Sequence, residues 1–153
     1  SSLNPYRLKV TGRIEQHINA FGEEVMIGNT DQALSKTLHE LNLKIKDYTV
    51  APYYLTNNTK GYHEWLIEFE NNPIDVEIFE QKLDNNLRAI NSDYDAKRFN
   101  DLALIRLKVN VAPKGLFNEW LKNKNKLGGQ HKVPRLSNSR KYLNEIMQLE
   151  FKI

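Results

Sequence analysis

The chain contains no cysteine, so disulfides are impossible and thiolate metal sites are excluded. Histidine is scarce: His17, His39, His63 and His131 lie far apart with no paired ligand spacing, and no protein-bound metal is expected. No apolar run approaches the roughly eighteen residues of a membrane-spanning helix, and no basic stretch leads into an apolar segment at the N-terminus. Together these absences read as a cytoplasmic protein with no membrane partner. Only seven glycines and five prolines occur in 153 residues, which makes one short cluster of them informative. In Gly128-Gly129-Gln130-His131-Lys132-Val133-Pro134-Arg135, two adjacent glycines let the backbone approach a ligand closely, and Pro134 stiffens the segment carrying Lys132 and Arg135. An ammonium and a guanidinium so placed could neutralise phosphate or a developing oxyanion. The same pattern also describes a glycine-rich surface turn with solvated charges.

A hydrophobic content of 40% and a charged content of 27% fit one globular domain with a real hydrophobic core. The net charge of +3 is unevenly spread, because nine basic and three acidic residues fall in residues 113–153. A basic tail of that kind suits nucleic acid, anionic lipid or a phosphorylated ligand, and equally a merely solvated face.

Hydropathy periods place the elements. Tyr6–Val10 alternates as a strand does, Thr11-Gly12-Arg13 breaks the run, and Ile14–Ile18 with the turn Asn19–Gly22 predicts a hairpin before Val25-Met26-Ile27. A chain that begins on a strand reads as a piece of something longer. Thr30 is the expected cap of a helix over 31–42, with Leu34 and Leu38 in the core. Ile45–Leu55 and Tyr62–Glu70 predict two strands joined by a long polar loop, the second with His63, Trp65, Ile67 and Phe69 on one face and Glu64, Glu68 and Glu70 on the other. His63 reads as a packed or hydrogen-bonded residue, and Glu23-Glu24 as solvated acids, since adjacent strand residues cannot converge on one proton. Asp75 caps a helix with Phe79, Leu83, Leu87 and Ile90 along one stripe, and a short polar helix follows through Asp101. Ile105–Val111 alternates as a strand, ending at Pro113; helices follow over 115–123 and about 138–149, the last starting near Ser137 or Asn138. The sum is an α+β fold: a small mixed β-sheet with an N-terminal β-hairpin and helices packed on the sheet.

Seven pieces in order carry a resemblance: Thr11-Gly12-Arg13, Asn19–Glu24, His63-Glu64-Trp65, Leu83-Asp84, Asn91–Tyr94, Gly115–Trp120 and Gly129–Arg135. Together they resemble the C-terminal domain of the auxin-responsive acyl acid amido synthetases, a family of the adenylate-forming superfamily, over nearly the whole chain. His131 and Val133 depart from the plant form of the last motif, Gln-Tyr-Lys-Thr-Pro-Arg, and bring the chain closer to bacterial members. The resemblance implies that residues 1–153 are the lid domain of a larger ligase, with residues 1–13 near the interdomain hinge. In that ligase an acid attacks ATP to give an acyl-adenylate, and an amino acid's amine then displaces AMP.

By the same likeness Lys132 is the catalytic residue, Gln130, Arg135 and Arg13 support nucleotide or substrate, and Gly128 and Gly129 form the loop. ATP and Mg2+ would be bound mainly by the N-terminal adenylation domain of the same polypeptide, which this chain lacks; the carboxylic acid and the amino acid are the other expected partners. The isolated domain is then expected to be inactive. The alternative is a non-catalytic module binding RNA, another polyanion or a protein. Nucleic acid is not expected, because stacking platforms need exposed aromatics among basic residues, whereas Trp120 and Tyr142 sit at core spacing.

Overall fold

The computed structural model describes residues 16–56, 59–71, 74–126 and 132–150. Within them the order of elements follows the hydropathy periods. Strands β1 (His17–Ile18) and β2 (Val25–Met26) pair antiparallel, with Ile18 opposite Val25, as a small N-terminal hairpin. The turn between them passes through Gly22 at φ 83°, a left-handed conformation that glycine adopts without strain. Tyr6–Val10, the other predicted strand, lies outside the described residues.

Helix α1 (Ile27–Leu41) begins a turn before the predicted Thr30 cap. Asn29 Oδ1 accepts the Met26 backbone N–H at 2.9 Å, which closes the helix start there. Thr30 is instead buried, donating to the Ile27 carbonyl at 3.0 Å and meeting the Tyr48 hydroxyl at 2.9 Å. Asn42, at φ 55°, ends the helix in a left-handed cap.

Strands β3 (Ile45–Thr56) and β4 (Lys60–Phe69) form a long antiparallel hairpin. Helix α2 (Val76–Ile90) starts at Asp75, whose Oδ1 accepts the Ile78 N–H at 3.2 Å, so the predicted cap is the real one. Helix α3 (Ser92–Arg98) is capped by Asn91, whose side chain accepts the Tyr94 N–H at 2.7 Å. Strand β5 (Lys108–Val111) then pairs parallel to β4, giving a mixed sheet of order β3-β4-β5. Its predicted start at Ile105 is too early. Leu104 forms only a bridge to Gly61, and the Leu107 N–H turns to the Asp84 carboxylate at 3.4 Å, so pairing with β4 begins at Lys108. Helices α4 (Leu116–Lys126) and α5 (Lys141–Glu150) follow. The last helix starts later than expected because Ser137 and Ser139 hydroxyls accept the N–H groups of Ser139 and Lys141 at 3.1 Å each, turning the chain before the helix can propagate.

The central strand β4 is covered on both sides. Trp65, Ile67 and Phe69 enter one core with Tyr48, Val50, Phe79, Leu83 and Leu87. Leu66 enters a second core with Ala51, Leu116, Phe117, Trp120, Leu143 and Ile146. The face that carries Glu64 and Glu68 is therefore not solvated: both acids are buried, and each has a defined partner. Glu68 Oε2 and Oε1 accept the N–H groups of Gly115 at 2.9 Å and Phe117 at 3.3 Å, satisfying the first donors of α4. Glu64 accepts from Arg140 at 2.7 Å and from the Asn110 side chain at 2.7 Å.

Two polar contacts tie the first core together. Arg98 grips Asp84 through Nε and Nη2, at 3.0 and 2.8 Å to Oδ2, while the Tyr94 hydroxyl donates to the same carboxylate at 2.6 Å. Burial and the Asp84 charge both push the Tyr94 phenol well above its ordinary value, so it remains the donor. His63 Nε2 lies 2.6 Å from Glu23 Oε2, and both side chains are fully buried. His63 is thus the packed, hydrogen-bonded residue expected, but Glu23 is no solvated acid. The hairpin turn inserts it under β4 and leaves Glu24 outside at φ 45°.

Candidate functional site

Residues 132–137 wrap the free edge of β3, and every second contact fixes them. Val133 is buried in the α4–α5 core, whereas Leu136 is buried in the core on the opposite side of the sheet. Between them the Val50 N–H donates to the Arg135 carbonyl at 2.8 Å and the Ser137 N–H to the Val50 carbonyl at 3.3 Å, adding a short parallel rung to the sheet. Thr49 Oγ1 donates to the Pro134 carbonyl at 2.7 Å. The Gln16 side-chain oxygen accepts from the N–H groups of Arg135 at 2.8 Å and Leu136 at 3.2 Å. A segment with so many satisfied backbone groups is held, and an exposed side chain at its start is presented from a firm base.

Lys132 is that side chain. It is exposed and borders a cavity of about 440 Å³ lined also by Gln16, Ile27, Asp47, Leu121, Val133 and Arg135. A second cavity of about 650 Å³ continues past Asp47 and Leu121 and reaches Lys46, Glu68, Glu70 and Lys114. Arg135 turns toward carboxylates: its Nη1 lies 3.4 Å from Asp31 Oδ1 and its Nε 3.6 Å from Asp47 Oδ1, with the guanidinium over the Tyr48 ring at 5.3 Å. The Tyr48 hydroxyl in turn donates to Asp31 at 2.6 Å. Burial, with the Asp31 charge adding to it, drives the Tyr48 phenol far above its ordinary value, so it stays protonated. The arginine is therefore engaged with Asp31 and Asp47, and Lys132 borders the same cavity.

Of the residues singled out in the sequence, Lys132 and Arg135 are brought to one cavity. Arg13, Gly128, Gly129 and Gln130 lie outside the described residues. Gln16, Asp31, Asp47, Glu68 and Arg140 were not read as parts of this region. Of these only Glu68 left a signal, as an acid on the strand face opposite the apolar stripe, which α4 and α5 then cover. Among the described residues no three histidine, aspartate or glutamate side chains gather as metal ligands.

The sequence profile of the GH3 family C-terminal domain matches residues 28–141. The chain belongs to the GH3 family. Its GH3 match covers the three-stranded sheet, helices α1 to α4 and the pinned segment with Lys132 and Arg135, and stops at the start of α5. Two solved structures have the same fold: a GH3.15 acyl acid amido synthetase, with a TM-score of 0.73 at 18% identity, and the AtGH3.15 acyl acid amido synthetase in complex with 2,4-DB, with 0.69 at 16%. Each match covers 90% of this chain and 26% of the solved one, so the chain spans about a quarter of the length of these GH3 structures. No curated protein sequence matches it. No helix among the described residues is long and apolar enough to cross a membrane.

Proposed function

We propose that this GH3 domain is the C-terminal lid of an ATP-dependent acyl acid–amino acid ligase and completes its active site when it closes over an N-terminal adenylation domain of the same polypeptide. The observation that carries the reading is the presentation of Lys132: an exposed ammonium on a segment pinned to both cores, at the mouth of a cavity, inside the stretch that matches the family. In the first half-reaction a carboxylate oxygen attacks the α-phosphorus of ATP and pyrophosphate leaves. In the second, an amine attacks the acyl carbon and AMP leaves. Both steps move negative charge onto phosphate oxygens, and a fixed ammonium in a site that closure dries stabilises that charge more than water would. Arg135 contributes by holding Asp31 and Asp47, which keeps the floor beneath Lys132 in place. Gln130 and Arg13 would add contacts to nucleotide or to the other domain, the latter near the hinge at residues 1–13.

ATP enters as a substrate, and its Mg2+ is held mainly by the N-terminal domain. A cytoplasmic location fits this ATP-driven chemistry. The test is acid-dependent exchange of labelled pyrophosphate into ATP by the full-length gene product and by residues 1–153 alone. Exchange by the first and none by the second is expected. Exchange by residues 1–153 alone, or by neither, overturns the reading.

A further inference from the structure

Asp47 sits where both cavities meet, on a strand that changes register between Ile45 and Asp47. A bulge of this kind re-aims a side chain. The Tyr48 N–H at 2.8 Å and Arg135 Nε at 3.6 Å both meet its Oδ1. Among the described residues nothing is seen to hydrogen-bond Oδ2, and the side chain keeps about a quarter of its surface open, at 27%. The charged groups around it are Arg135 and Lys132 from the pinned segment, Lys46 beside it, Glu68 from β4, Glu70 just past its end, and Lys114 at the entry to α4. Glu68 is committed to the start of α4, and Arg135 is shared with Asp31. That makes Asp47 the half-open carboxylate that shares a cavity with Lys132.

We propose that Asp47 accepts the proton of the attacking amine in the amide-forming step, an inference that rests on the ligase reading above. The amine arrives as an ammonium. Asp47 Oδ2 takes one proton and frees the lone pair, which forms the C–N bond at the acyl carbon. The C–O bond to AMP breaks and AMP leaves with that electron pair. The second proton on nitrogen passes to water, and Asp47 returns its own to solvent. Burial raises the Asp47 carboxyl above its ordinary value, against the opposing pull of the Tyr48 N–H and Arg135, which makes it a stronger base than a solvated carboxylate. The sign of the linkage supplies an independent readout. A carboxyl whose pKa is raised by folding binds protons more tightly when folded, so ionising it lowers stability at neutral pH, and the loss vanishes below its unfolded pKa.

The test is Asp47→Asn in the full-length protein, with pyrophosphate exchange and amide formation measured separately. Amide formation from an amino acid should fall about 100-fold or more, while exchange falls far less. Hydroxylamine, already unprotonated at neutral pH, should restore product formation to within a few-fold of the parent. The denaturation midpoint of residues 1–153 should rise at pH 7 and not at acid pH. Undiminished amide formation from the amino acid overturns the proposal. So does an equal loss with hydroxylamine together with a lower midpoint, which would make Asp47 a structural partner of Arg135. If the parent shows no exchange, the ligase reading itself fails first.

Discussion

The two faces of the sheet bury acids for different ends. Under α1, α2 and α3, Asp84 is gripped by Arg98 and Tyr94, and Glu23 by His63, so that charge is matched inside a closed core. Under α4 and α5, Glu68 caps a helix and Glu64 holds Arg140, while neighbouring charges at Asp47, Arg135 and Lys132 line open cavities. On the first face polar groups close the fold. On the second they aim elements, and charged side chains border open cavities.

Mutations on the two faces should separate these roles. The largest effect on stability is expected from Arg98→Ala, which leaves Asp84 as a buried carboxylate without its bidentate partner. A loss of about 3–5 kcal/mol is expected in chemical denaturation of residues 1–153. A loss below about 1 kcal/mol would mean that the first face does not depend on matched charge. Glu68→Ala should cost less, about 1–2 kcal/mol, the size of a lost helix cap. If it costs as much as Arg98→Ala, the contrast between closing and aiming is wrong. Lys132→Ala should move stability least, within about 0.5 kcal/mol, as for an exposed surface position.

Much of this division was legible in the sequence where a period could be read. The stripes of α2 and α4 and the alternation of β4 marked core-facing residues, but not that Leu66 would enter a second core on the face that carries Glu64 and Glu68. Gly128–Arg135 pointed to Lys132. Contacts set by pairing across the chain were not legible. Nothing local says that Gln16 will accept from Arg135, 119 residues away. Nor does anything local say that Glu23 will reach His63 across 40 residues, while Glu24, its neighbour, stays in water. Strand β5 shows the same limit, since its alternation begins at Ile105 but Asp84, from α2, takes the Leu107 N–H and regular pairing with β4 waits until Lys108. Thr30 met the local rule for a cap, and a hydrogen bond to Tyr48 on β3 used it otherwise.

The central claim is that the second face presents Lys132 to a developing negative charge. The most direct measurement is Lys132→Ala in the full-length protein, with pyrophosphate exchange and amide formation followed alongside the denaturation midpoint of the domain. At least one half-reaction should fall by about 100- to 1,000-fold, the loss expected on removing one charge-stabilising donor, with the midpoint unchanged. Near-parental rates for both half-reactions would contradict the account.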